Sequence, residues 1–223
     1  MPSRNIVKVF AEKEYYHIYN RGVAKQRIFL SDEDKEYFLG LFDRYLNIDN
    51  SEIDSRNLEY QKYNNQLELL CFCLMENHFH FVFWIEKDNK SITNLMRCIC
   101  TSYTMYFNRK YNRVGPLFQS NYKASRITSD PYLLHISRYI HLNPKNIYKN
   151  YKYSSYSSYI SSIKFKWLKP NRMLNLFELN DYEKFVGEYY LYIKDYFDPD
   201  TELVDNYLPQ VGPAETAENY LPS

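Results

Sequence analysis

Two apolar runs joined by two residues set the frame of this chain. Leu67 to Met75 is hydrophobic throughout except at Glu68, and residues 78–86 follow after only Glu76 and Asn77. A continuous apolar run of this length marks a central strand. A link this short makes the pair a hairpin. The second strand carries His78 and His80 at i and i+2. Alternate side chains of a strand share a face, so the two imidazoles project together and Phe79 and Phe81 turn the other way. Burying two imidazoles is costly unless their nitrogens are satisfied. A divalent metal satisfies them; so does a pair in which one ring is hydrogen-bonded and the other solvated.

The flanking segments give the order of elements. Residues 15–20 read as a first strand ended by Arg21-Gly22. Ser31-x-x-Asp34 resembles a capping box, and Phe38, Leu41, Phe42, Tyr45 and Leu46 follow at helical spacing. Residues 48–66 are polar without a period and read as a long loop. After the hairpin a helix is expected over 92–111, broken by Asn112-Arg113-Val114-Gly115-Pro116. A strand follows around 122–126. Ser129-Asp130-Pro131 opens a last helix that stops at Asn143-Pro144. The order β-α-β-β-α-β-α is an α+β chain. Its first six elements form the split βαβ antiparallel sheet of a ferredoxin-like fold, and the seventh is an added helix. The expected division is a domain over 1–160 and an extension over 161–223, with one helix near 181–193 and a poorly ordered acidic tail from 198.

Composition narrows the classes. Hydrophobic content of 45% is enough for a true core, and no apolar run of about 18 residues suggests a membrane helix. The start of the chain lacks the apolar region of a signal peptide, so residence in the cytoplasm is expected. The cysteines fall as Cys71-x-Cys73 and Cys98-x-Cys100. On a helix, i and i+2 point apart, which argues against a four-cysteine zinc site and for buried reduced thiols. The net charge of +1 hides an asymmetry: residues 91–152 hold ten Lys/Arg against Asp130 alone, while 178–223 hold eleven acids against two lysines. Cations interleaved with Tyr103, Tyr106, Phe107, Tyr111 and Tyr122 suit a nucleic-acid surface, phosphates meeting the cations and unpaired bases stacking on rings. A solvated basic face balancing the acidic end is the competing explanation.

The added helix complements the histidine pair. Leu133, Ile136 and Ile140 make an apolar face, while Tyr132, His135, Tyr139 and Asn143 run along another stripe. Asn143 offers a carbonyl oxygen as a third, harder ligand. Two imidazoles and one oxygen suit Mg²⁺ or Mn²⁺, the nitrogen donors tilting the choice toward Mn²⁺. Tyr139, one turn from Asn143, would then stand beside the metal as a nucleophile. Tyr122 and Tyr132 are the rival candidates, and any of the 25 tyrosines can simply pack.

His78-Phe79-His80 resembles the His-hydrophobic-His motif of the HUH endonucleases, and the surrounding pattern is similar to the single-tyrosine transposases, in particular the REP-associated tyrosine transposase group. The matching segments occur in order. They are Tyr19-Asn20-Arg21-Gly22, Glu76-Asn77-His78-Phe79-His80, the Asn112-to-Lys123 stretch with Gly115, Leu117, Phe118, Gln119 and Tyr122, Arg138-Tyr139-Ile140-His141-Leu142-Asn143-Pro144, and Tyr153-Ser154-Ser155-Tyr156. Two positions depart from the family pattern: Glu76 stands where proline is usual, and Tyr153 where tryptophan is.

The resemblance implies a metal-dependent endonuclease and transesterase acting on single-stranded DNA near palindromic hairpins, through a 5′-phosphotyrosine. It places Tyr139 as the catalytic nucleophile and His78, His80 and Asn143 at a Mg²⁺ or Mn²⁺ ion. It implies DNA contacts from Arg21, Arg97, Arg109, Arg113, Gln119, Lys123, Arg126 and Arg138. The chain would act as a monomer or homodimer, with no membrane partner. Three alternatives remain: a hairpin DNA- or RNA-binding protein that no longer cuts, another HUH enzyme such as a replication initiator or relaxase, and a metalloprotein unrelated to DNA.

Overall fold

The computed structural model describes residues 9–161, 165–177 and 181–196. Its centre is the anticipated hairpin: β2 (Leu67–Met75) and β3 (His78–Ile85) pair in register from Leu67↔Ile85 to Met75↔His78, with one bulge between Leu69 and Cys71. β1 (Glu14–Arg21) lies on the other side of β3, and β4 (Lys123–Ile127) lies beyond β1. The strand order β2-β3-β1-β4 is antiparallel throughout and is that of the split βαβ arrangement.

Helices α1 (Asp32–Leu46) and α2 (Ser91–Lys110) cover one face. The Ser31 side chain accepts from the Asp34 amide, and the Asp34 carboxylate accepts from the Ser31 amide, so the capping box forms as read. Phe38 and Phe42 of α1 and Tyr103 of α2 meet Phe79, Phe81 and Phe83 in one aromatic core. This is where the outward-turned rings of β3 go.

The opposite face carries α3 (Asp130–Leu142), capped by Ser129 and opened by Pro131. Short α4 (Tyr156–Ile160) and α5 (Asn171–Leu174), then α6 (Asp181–Tyr196), complete that layer. Ile136 and Ile140 of α3 join Cys71, Cys73, Val82 and Tyr156 in a second core. Cys71 and Cys73 are buried and unpaired by disulfide, as expected, whereas Cys98 and Cys100 are only half-buried because α2 turns them toward its flanks.

The segment beyond residue 160 is woven into both cores. Trp167 stacks on Phe42 and Phe72, and Leu168 bridges to Leu69. Tyr182 and Val186 of α6 are fully enclosed on the α3 side. Their apolar area explains the attachment: a buried large side chain contributes roughly 1.5–3 kcal/mol. The acidic end from 197 onward lies outside the described residues.

Candidate nucleic-acid-processing site

Three backbone features bring the ordered motifs to one end of the sheet. The first is Gly22. A Cβ there would sit 2.2 Å from the Gln26 carbonyl oxygen, so only glycine lets the chain fold back at the end of β1. Its amide donates to the Asn77 carbonyl at 2.9 Å, fixing that turn to the hairpin tip. The second is the 117–120 stretch, which runs beside the end of β1. Val23 N donates to Leu117 O, Gln119 N to Arg21 O, and the Asn20 amide to Ser120 O, each at 3.0 Å. The third is the Tyr153-Ser154-Ser155 stretch, which lines the open edge of β2: Leu74 N donates to Tyr153 O and Ser155 N to Phe72 O, both at 3.0 Å.

Strand register then sets the side chains. Tyr19 is the row partner of both His80 and Lys123, and Arg21 of His78. With the α3 residue Tyr139 and the flanking Asn20 and Gln119, they line one small pocket. The Tyr139 ring meets the His80 ring edge-to-face, centroids 5.5 Å apart. His80 Nδ1 faces His17 Nε2 at 2.9 Å. Burial holds the His80 imidazole far below its ordinary pKa, and positive charge at His17, His78 and Arg21 pushes the same way. His17, fully enclosed, is pulled down to about 3 by burial. Both rings are therefore neutral at pH 7.

His78 has an unusual pair of neighbours. Its Nδ1 lies 2.6 Å from Asn77 Oδ1 and its Nε2 lies 3.1 Å from Asn143 Oδ1. Both amide orientations are fixed, because Asn77 Nδ2 donates to the Lys25 carbonyl and Asn143 Nδ2 to the Tyr139 carbonyl. Two oxygens thus face one ring, and a neutral imidazole has a single N–H. One of the contacts sets lone pair against lone pair unless the ring is protonated or a cation lies between. With the Asn77 contact fixing the hydrogen on Nδ1, Nε2, the Asn143 oxygen and His80 make a donor set that fits a divalent cation. Among the described residues no three His, Cys, Asp or Glu side chains cluster as a metal site. The third donor here is an amide, which such a grouping does not include.

The other expected contacts are scattered. Arg97 faces a wide groove of about 920 Å³ between α2 and the 116–122 stretch, which meets the pocket at Asn20 and Gln119. Arg113 is half-buried, bound to Asn108 and Gln26, and Arg109 is exposed on the last turn of α2. Arg126 pairs with Glu14 and shares its sheet face with Tyr16, opposite the histidines. Arg138 is 4% exposed and rests on the Tyr189 ring at 3.9 Å with Phe185 behind, so it serves the α3–α6 contact and does not face the pocket. His135 points the same way, its Nδ1 3.1 Å from Arg138. Tyr122 is buried against Thr93 on the far face of the sheet. The sequence reading missed His17; its signal was the i, i+2 alternation of His17 with Tyr19 and Arg21, which puts it on the histidine face.

No helix among the described residues is long and apolar enough to cross a membrane. No curated protein matches this chain. A solved structure of a REP-associated tyrosine transposase bound to a REP hairpin matches its fold with a TM-score of 0.51 at 10% sequence identity, covering 75% of this chain and 92% of that one. The model of the family described as "Transposase IS200 like" matches residues 56–143, a span that runs from before the hairpin through both histidines and Tyr139 to Asn143. Over that span the chain is similar to the IS200-like transposases, and its α+β fold is similar to that of a solved tyrosine transposase.

Proposed function

We propose that this protein cleaves and rejoins single-stranded DNA beside hairpins, with Tyr139 as the nucleophile. The observation that supports this reading most is the meeting of Tyr139, His80 and His78 around one pocket whose wall also holds Arg21 and Lys123, with Asn143 against His78. The Tyr139 phenolic oxygen attacks the scissile phosphorus. The P–O3′ bond breaks, the 3′ oxygen leaves and takes up a proton, and the 5′ side stays on the protein as a phosphotyrosine. Because the ester is conserved, a second 3′-OH can reverse the step without nucleotide hydrolysis. His78, His80 and Asn143 would hold Mg²⁺ or Mn²⁺, which when bound supplies positive charge to the phosphate; none of its donors is anionic, so that charge is not spent on the protein. Arg21 and Lys123 neutralise the phosphates next to the pocket, and the groove around Thr101 and Phe118, with Arg97 on its wall, receives unpaired bases.

The test is a 3′-labelled single-stranded hairpin incubated with Mn²⁺ and resolved under denaturing conditions. The native protein is expected to carry label, and Tyr139→Phe to bind the DNA without becoming labelled. His78→Ala, or excess chelator, should also prevent labelling. A labelled Tyr139→Phe protein would sink the assignment.

A further inference from the structure

We infer that His17 is a positioning residue: its Nε2 accepts the Nδ1–H of His80, and this presents the lone pair of His80 Nε2 to the pocket. The inference rests on the reading of His80 as a donor to a divalent cation. His17 stands on β1 in the row next to Tyr19, flanked by Val82 and Ser125, and is fully buried. The His17 and His80 rings lie nearly parallel, 14° between planes and 5.1 Å between centroids, and Tyr19 stacks on His17 at 4.9 Å.

One proton occupies the 2.9 Å line between His17 Nε2 and His80 Nδ1, and its owner decides what the pocket side of His80 can do. If His17 donated, neutral His80 would carry its hydrogen on Nε2 and could not ligate a cation. If His80 donates, Nε2 offers a lone pair. The charged groups on the pocket wall, Arg21 and Lys123, are donors only, so a lone pair suits them and a second N–H does not. The cost falls on His17, whose Nδ1 is buried with no hydrogen-bond partner. Packing does not ask for that cost, since an apolar ring would fill the same layer without a stranded polar atom. Histidine ligands commonly have the second nitrogen fixed by a carboxylate or carbonyl; here a neutral imidazole takes that place, which adds no negative charge near the phosphate site.

The test combines a tautomer measurement with metal titration. In ¹⁵N-histidine-labelled, metal-free protein, long-range ¹H–¹⁵N spectra should show His80 hydrogen-bearing at Nδ1 and bare at Nε2. Calorimetric titration with Mn²⁺ should show His17→Leu binding about 10- to 100-fold more weakly. His17→Gln, whose amide oxygen can accept the same hydrogen, should recover most of the loss. A native spectrum with the His80 hydrogen on Nε2 overturns the inference. So does a folded His17→Leu protein that binds Mn²⁺ as the native protein does. If His17→Leu does not fold, the native spectrum and the glutamine variant decide. If the native protein takes up no Mn²⁺, the cation reading fails, and the tautomer spectrum still decides the role of His17.

Discussion

Acid should loosen this protein through His141 of α3. His141 is fully buried on α3, with Nδ1 2.5 Å from the Tyr182 hydroxyl of α6 and Nε2 2.7 Å from Ser155 Oγ. Burial pulls its pKa down to about 3. The unfolded chain titrates near 6.5. A depressed folded pKa means that the unfolded state binds the extra proton first, so the contribution is complete above about pH 6.5 and drains away as pH falls toward 3. At pH 5 the gap is about 1.5 pH units, which at about 1.36 kcal/mol per unit is about 2 kcal/mol lost by this one residue. Domains of this kind are stable by roughly 5–15 kcal/mol in total, so the effect is measurable. Urea unfolding of native protein and of His141→Gln at pH 7 and pH 5 isolates it. The native protein should lose about 2 kcal/mol more than the variant over that interval. Equal losses would show that His141 takes up its proton in the folded state as readily as in water, and the argument from burial would be wrong.

Two further measurements probe other parts of the reasoning. Gly22→Ala should destabilise by about 1–3 kcal/mol through its clash with the Gln26 carbonyl, seen as a lower denaturation midpoint, whereas Gly40→Ala, in open space within α1, should stabilise by about 0.5–1 kcal/mol. Lys123→Glu should weaken binding to hairpin DNA and lower its salt dependence, while Arg126→Glu, on the other sheet face, should leave both near native values; equal effects in fluorescence anisotropy would mean that the DNA does not distinguish the faces.

The sheet was legible because its signals are local. The apolar runs, the two-residue link, the capping box at Ser31 and the Pro131 helix start each depend on neighbours in sequence, and each appears where expected. The meeting of Asn143 with His78 was also legible, since strand alternation and helix periodicity aim both inward. Charge was read less well. A run of cations along the chain says nothing about direction, and β4 sends Lys123 and Arg126 to opposite faces. Arg138 reads as a phosphate contact until Phe185 and Tyr189 arrive from over forty residues away to cover it. His17 escaped notice because its partner is 63 positions distant, across a strand pairing that only the fold defines.

The link of Glu76 and Asn77 imposes a parity on this chain. Glu76 O accepts from Ile28 N and Phe29 N, and Asn77 O from Gly22 N, so the tip is pinned from outside the hairpin. One residue added or lost there would exchange the two sides of β3, sending both histidines into the phenylalanine layer and Phe79 and Phe81 under Tyr139. Two added residues would restore the sides but move His80 a full rung from His17. Length variation in proteins built on this plan therefore has nowhere to go at the tip and must be absorbed in stretches such as 48–66, which is largely exposed apart from the buried Tyr63 and bonds partly to itself and partly to the end of α1. The same parity makes the tip a poor place for a tag or fusion and the 48–66 loop a good one.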